Sequence, residues 1–294
     1  CLIPFQLFLA KRRGGLFGHG NTLTIPLAIL YEPGLVFNKS RRNVPMPRAD
    51  VTIKTRDGNC PASLFTPASG KGPWPGVIFY MDGLGIRPVM WEMGQRLADG
   101  GYLVLQPDLY YRFGSYPPKV AAEVLSNPQS MGELMKWVNS LDRDRKVSDS
   151  GAFIEFLSAR PEVKGKRFGA TGYCMGGNIS LTAAGAFPDR FAAVASFHGG
   201  NLGSEKPDSP HLFVKDITGR VYVAGAIEDA SFPEEQKIRL EKALTDAGVN
   251  HVVETYSGAR HGFAVPDLPV FEKGAAERHW TALFNLFQET LADA

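Results

Sequence analysis

Six short runs, "GVIFYM" (76–81), "YLVLQPD" (102–108), "RFGATGYC" (167–174), "FAAVASFHG" (191–199), "VYVAGAI" (221–227) and "HVVETYS" (251–257), are apolar on both pleat faces. A strand wetted on one side alternates apolar and polar residues, so runs of this kind need cover on both sides. Longer segments with helical spacing lie between them, at 90–99, 150–159, 178–186 and 233–247. Strands that alternate with helices in this way form an α/β fold: a doubly wound, mostly parallel sheet with helices on both faces and right-handed crossovers. Ligands then bind outside the carboxyl ends of the strands.

The first strands differ. "VTIKT" and "CPASLFTP", joined by "RDGN", predict an antiparallel hairpin, because Asp-Gly supplies the positive φ of a tight turn. "SFPE" predicts a capping box for the helix at 233–247, with Ser231 as N-cap and Glu234 reaching back, and Gly248 ends that helix. Residues 113–146 are polar and irregular in period, as expected of a surface insertion near the ligand-binding edge. Residues 1–48 mix basic clusters, Gly and Pro without a period and are taken as an N-terminal extension, leaving 49–294 as the main domain.

With 294 residues, 44% hydrophobic, the chain is long enough for one large core. A formal charge of +2 and no basic stretch interleaved with aromatics argue against nucleic acid as a partner. Cys1, Cys60 and Cys174 have neither metal-ligand nor disulfide-framework spacing, which favours a reducing, cytoplasmic compartment. "CLIPFQLFLA" followed by "KRR" has the wrong charge order for a secretory signal and is too short to span a bilayer.

In "FGATGYCMGGNIS" the thiol of Cys174 sits where a strand gives way to a helix. Such a turn is crowded. Gly172 and Gly176 remove side chains two residues either side of the thiol, and Gly177 lets helix and strand approach closely. The helix N-terminus favours thiolate over thiol. A thiol nucleophile needs a base, and the base an orienting carboxylate. Asp229 and His261 follow the next two qualifying strands, in the order nucleophile, acid, base of an α/β-hydrolase arrangement. Glu228 is the rival acid and His198, in "SFHGG", the rival base or a pocket wall.

The pieces "YMDGLGIRP", "GGYLVLQPDLYYR", "GATGYCMGGN", "GAIEDASFP" and "YSGARHGFAVPD" together resemble the dienelactone hydrolase (carboxymethylenebutenolidase) family of the α/β-hydrolase superfamily, from about residue 49 to 294. The resemblance implies a Cys174, His261 and Asp229 triad, an oxyanion hole of the Met175 and Gly83 amides, a thioester acyl-enzyme and no metal or organic cofactor. It also implies that Asp82, standing where the family has Glu, meets the resting thiol, and that Arg112 grips a substrate carboxylate. The family's second arginine position holds Val265. Either Arg260 or Arg87 compensates, or the substrate is less anionic; an arginine placed at 265 would then favour anionic lactones.

The expected function is therefore hydrolysis of small-molecule esters or lactones. The alternatives are a general carboxylesterase or thioesterase on neutral substrates, a non-catalytic binding protein of the same fold, and a thiol redox sensor, the last disfavoured because no second cysteine lies near Cys174 in sequence.

Overall fold

The computed structural model describes residues 48–292. The expected extension falls outside them except for Arg48. The described chain builds one sheet of eight strands: β1 (Arg48–Thr55), β2 (Gly58–Phe65), β3 (Trp74–Tyr80), β4 (Leu103–Pro107), β5 (Val163–Tyr173), β6 (Phe191–Phe197), β7 (Arg220–Glu228) and β8 (His251–Arg260). Their spatial order is β1-β2-β4-β3-β5-β6-β7-β8. β1 and β2 pair antiparallel, as do β2 and β4, and every other pairing is parallel. The hairpin register places Thr55 opposite Gly58, and Gly58 takes the positive φ of +142°.

The central strands β3, β4, β6 and β7 are buried along most of their length, and β4 and β6 have no exposed residue, whereas edge strand β8, expected to be covered on both faces, buries only Tyr256 and Ala259. Alternation along β5 shows what covers each face. Gly169 and Tyr173 face α7 (Lys273–Thr290): a Cβ on Gly169 would meet Phe287 and Leu291, and the Tyr173 hydroxyl lies 3.1 Å from His279 Nε2. Gly172, an odd number of residues from each, faces α5 (Met175–Ala186) on the other side. α1 (Pro88–Asp99) lies beside α7, with Gly100 against Phe284 and Arg96 paired to Glu277.

Two local expectations are corrected. Residues 113–146 are not irregular: they contain α2 (Ala121–Ser126), α3 (Pro128–Ser140) and the start of α4 (Arg143–Ser158). The Asn127 side chain accepts from the Gln129 and Ser130 amides, and Pro128 opens α3. Only Leu134 of α3 is fully buried, but Met131, Leu134, Met135 and Val138 stand at i, i+3, i+4 and i+7, so the helical period was present in the sequence. The helix at 233–247 is α6 (Glu234–Asp246), and its N-cap is Pro233 with no side-chain cap. Ser231 is engaged elsewhere, as described below. Gly248 does end the helix, at φ +67°, donating to Thr245 O.

Sheet order reverses at β3: the chain runs from β3 to β4 on one side, while β5 lies against the other. A crevice therefore opens between the carboxyl ends of β3 and β5. The residues following those ends are Met81 to Gly83 and Cys174.

Candidate active site

Cys174 is the single residue between β5 and α5 and has φ +54° and ψ −116°, a strained conformation for a non-glycine residue. The neighbouring glycines make it possible. A Cβ on Gly172 would stand 2.0 Å from Gly176 O, and one on Gly176 would stand 2.4 Å from Tyr80 O; one on Gly177 would reach the Ser196 hydroxyl at 2.4 Å. The first two collisions are with backbone, which cannot swing aside. The Cys174 amide donates to Phe197 O and to His198 Nδ1, both at 3.1 Å, and its carbonyl accepts from the Gly177 and Gly200 amides. The turn is thus pinned on both sides, and the thiol is left half-buried.

His261 follows β8, and its Nδ1–H donates to Asp229 Oδ2 at 2.8 Å. Ser231 Oγ lies 3.1 Å from the same nitrogen and donates to Asp229 Oδ1 at 2.6 Å, as does the Ser231 amide at 2.9 Å. With Nδ1 occupied, Nε2 is the atom left to face sulfur, and Cys174 lies close enough to His261 to act on the charge of its ring. Burial disfavours a charged His261, but the negative charge of Cys174 and the Asp229 carboxylate outweigh it and hold its pKa well above the ordinary value. Burial likewise pushes Asp229 up, and the hydrogen bonds from His261 and Ser231 override it and bring the carboxyl below its usual range.

The structure thus brings together Cys174, His261 and Asp229. Glu228 is exposed, and only its backbone carbonyl meets His261, accepting the amide at 3.3 Å. Gly83 and Met175 flank the crevice, and neither amide donates to an acceptor among the described residues.

Three expected substrate contacts are placed otherwise. The Asp82 carboxylate is buried and takes Arg87 Nη1 at 2.7 Å, Arg87 Nη2 at 2.8 Å and the Leu84 amide at 2.9 Å, so its oxygens are committed away from the thiol. Arg112 is held by Asp149 through both terminal nitrogens at 2.8 Å and by Asp57 through Nε, against α4 and the β1–β2 turn. His198 has no exposed surface, so it is a support beneath the site and not a wall of it. Arg87 is also excluded as a free cation: it is 1% exposed and spends its five N–H groups on Asp82, Asp267 and Gly85 O. Val265 is fully buried, so an arginine there would enter the core and not the crevice.

Sequence reasoning missed the roles of Ser231 and Arg87. For Ser231 the signal was present, since Asp-x-Ser is the spacing at which an Asp side chain accepts the amide two residues on. Among the described residues no group of three or more His, Cys, Asp or Glu could hold a metal ion, and no helix is long and apolar enough to cross a membrane. Two clefts lie away from these residues. One of about 480 Å³ sits between β7, β8 and α7, and one of about 290 Å³ is beside His211 and Arg239.

A doubly wound sheet with a strained cysteine turn at its switch point, followed by an acid and a histidine after later strands, defines the α/β-hydrolase fold. The sequence profile of the dienelactone hydrolase family matches residues 60–291, and the chain belongs to that family, whose members hydrolyse lactone and ester bonds. A Synechocystis sp. protein named "Putative carboxymethylenebutenolidase" is 29% identical over 251 residues, covering 82% of this chain and 96% of that one. The crystal structure of a "Putative Dienelactone Hydrolase" from Klebsiella pneumoniae superposes with a TM-score of 0.70 at 25% identity, covering 82% of this chain and 98% of that one. A dienelactone hydrolase-like promiscuous phosphotriesterase from metagenomic libraries superposes with a TM-score of 0.66 at 26% identity, covering 84% and 100%.

Proposed function

We propose that this protein hydrolyses small carboxylic esters or lactones through Cys174, His261 and Asp229 by way of a thioester acyl-enzyme. The reading rests on one relationship: a strained thiol turn at the switch point stands beside a histidine already braced by a buried carboxylate. Cys174 Sγ adds to the carbonyl carbon, and the displaced electron pair moves to the carbonyl oxygen, which the Gly83 and Met175 amides receive. Collapse breaks the bond to the alcohol oxygen, and that oxygen takes the proton carried on His261 Nε2, leaving the thioester. In a lactone the alcohol stays attached to the acyl chain. Water then gives a proton to His261 Nε2 as its oxygen attacks the thioester. The second collapse releases the acid and restores the thiolate and the imidazolium.

Within that class, uncharged esters fit better than anionic ones. The arginine matched to the family's grip is spent on Asp149 and Asp57, and the other position holds a buried valine. A planar fork already committed to carboxylates has no second pair of donors for a substrate. A working thiol nucleophile also suits a reducing compartment, and cytoplasmic operation is part of the reading.

The test is Cys174→Ala assayed on p-nitrophenyl acetate, with circular dichroism to confirm the fold. Turnover is expected to vanish, and brief exposure of the wild type to substrate is expected to leave an acyl group on the peptide that carries Cys174. Undiminished hydrolysis by a folded Cys174→Ala protein would remove the reading.

A further inference from the structure

We propose that Tyr110 is a positioning residue that fixes the oxyanion hole; the inference rests on the reading of the Gly83 and Met175 amides as its donors. Tyr110 follows β4 and has no exposed surface. Its hydroxyl donates to Gly83 O at 2.7 Å, and the same oxygen lies 3.5 Å from Met175 Sδ. One oxygen atom therefore touches both residues that would supply the hole, each arriving on a different loop of the crevice. A phenol has one proton to give. The Gly83 carbonyl is the stronger acceptor and takes it, so the Met175 thioether packs against the oxygen.

The Gly83 loop needs such a tether. Gly83 has no side chain to anchor its peptide planes, and Gly85, two residues on, sits at φ +85°. Upstream, the Asp82 carboxylate accepts the Leu84 amide and the Asp82 carbonyl accepts the Gly85 amide. The Gly83 N–H shares its peptide plane with the Asp82 carbonyl; the Gly83 carbonyl, in the plane that follows, is held by Tyr110, so the hydroxyl fixes the far side of the Gly83 Cα about which that N–H can turn. The tyrosine is itself immobilised. Its amide donates to Asp108 Oδ1, which also accepts the Tyr116 hydroxyl at 2.7 Å, and its ring packs edge-on against Trp137 with centroids 5.3 Å apart. Burial, together with the charges of Cys174 and Asp82, keeps the phenol far from ionising, so the donor persists at any working pH.

A hole that is re-aimed and not dismantled loses less than the ~10²- to 10³-fold that follows removal of a donor. Tyr110→Phe keeps the ring and deletes only the hydroxyl. Its kcat on p-nitrophenyl acetate is expected to fall about tenfold with KM within about twofold, because the hole acts on charge that exists only in the transition state. Alkylation of Cys174 by iodoacetamide, which builds no oxyanion, is expected to keep its wild-type rate. A purely structural role would lower the melting temperature and leave kcat per folded molecule unchanged, and that result would overturn the proposal. Equal losses in turnover and alkylation would also overturn it, by placing the effect on the nucleophile. Should Tyr110→Phe not fold, a wild-type crystal soaked with an aldehyde reads the same point. The thiohemiacetal oxygen is expected on the Gly83 and Met175 amides with the Tyr110 hydroxyl still on Gly83 O, and a hydroxyl turned away would overturn the assignment. Turnover surviving in Cys174→Ala removes the underlying catalytic reading. Turnover lost there but unaffected in Tyr110→Phe removes only the tether.

Discussion

The Cys174 amide donates to His198 Nδ1 at 3.1 Å, so the nucleophile's backbone is held by a histidine that the solvent never reaches. An accepting Nδ1 carries no proton, and burial, aided by the charge on His261, pushes the His198 pKa well below its ordinary value. The imidazole is therefore a neutral acceptor. It stands edge-on to the His261 ring, with centroids 5.2 Å apart, and cannot compete for the same proton.

His198→Ala removes that acceptor, while Phe197 O remains to take the amide. The expected loss is about 1 kcal/mol of stability, the low end of the cost of an underserved buried donor, with a severalfold drop in kcat. His198→Asn is expected to recover most of both, because Asn Oδ1 accepts hydrogen bonds and Asn tolerates the φ of +40° found here. Urea unfolding and steady-state kinetics on the two variants check this. Equal losses in both would show that the imidazole contributes bulk alone.

Arg87 ties the loop after β3 to the loop after β8, which carries His261, through paired hydrogen bonds to Asp82 and Asp267. The two carboxylates are not equivalent: the Asp82 side chain is 4% exposed and that of Asp267 34%. Arg87→Met strands a buried charge at Asp82 and is expected to cost about 3 to 5 kcal/mol. Asp267→Asn leaves the buried pair intact and is expected to cost about 1 kcal/mol or less. Denaturant midpoints of the two variants measure the difference, and similar losses would contradict it.

How much of this was legible in the sequence depended on the range of the interaction. The Cys174 turn was readable because its constraint is local: glycines at 172, 176 and 177 are demanded by atoms of the same turn, the strand β3 beside it and β6. Asp229 and His261 were readable from their order after two buried strands. Arg112 was misjudged because what disarms it is distant, and Arg87 because one of its two carboxylates is, the other being Asp82 only five residues before it. Asp267 lies 180 residues from Arg87, and Asp149 and Asp57 lie 37 and 55 residues from Arg112. No local pattern marks a cation as already paired. Ser231 was assigned to the helix it precedes when its hydroxyl belongs to the carboxylate before it.

Cys174 and Cys60 provide a direct comparison of thiols. Cys60 is fully buried, its Sγ donates to Pro61 O and Asp108 O, and burial pushes its pKa far up. Cys174 is half-buried at a helix N-terminus, beside the His261 imidazole. Iodoacetamide near neutral pH is expected to label Cys174 at least about a hundredfold faster than Cys60, since the thiolate is the reacting species. Peptide mapping over time reads the two rates, and comparable labelling would mean that Cys174 is not activated.

His279 links the core to pH. It is buried in α7, where burial lowers its pKa to about 3, and Tyr173, next to the nucleophile, shares its Nε2. A folded-state pKa below the unfolded value of about 6.5 means that the unfolded chain binds the extra proton, so the stabilisation is complete above pH 6.5 and drains away as pH falls. Between pH 6.5 and 5 His279 alone is expected to remove about 2 kcal/mol, and buried neutral His198 acts in the same direction. Urea unfolding of the wild type and of His279→Gln across this range checks the sign. A slope that survives the substitution would assign the effect to other groups.

Substrate charge is the last point at which the arginine geometry is exposed to experiment. With Arg112 and Arg87 committed and Val265 buried, an anionic acyl group entering the crevice would give up water without gaining a guanidinium. p-Nitrophenyl butyrate is therefore expected to exceed the mono-p-nitrophenyl ester of glutaric acid in kcat/KM by at least about tenfold, the factor that 1.4 kcal/mol of uncompensated desolvation produces. Val265→Arg is a poor test because the position is in the core. Val138 is better. It is half-exposed on α3, and its Cγ2 would lie 3.5 Å from a Cβ at Gly83, so an arginine there stands at the crevice without displacing the core. Val138→Arg is expected to narrow the ratio severalfold, mainly through KM for the anionic ester. If the wild type instead prefers the anionic ester and Arg260→Ala abolishes that preference, the exposed arginine before His261 has taken over the grip and the neutral-substrate reading fails.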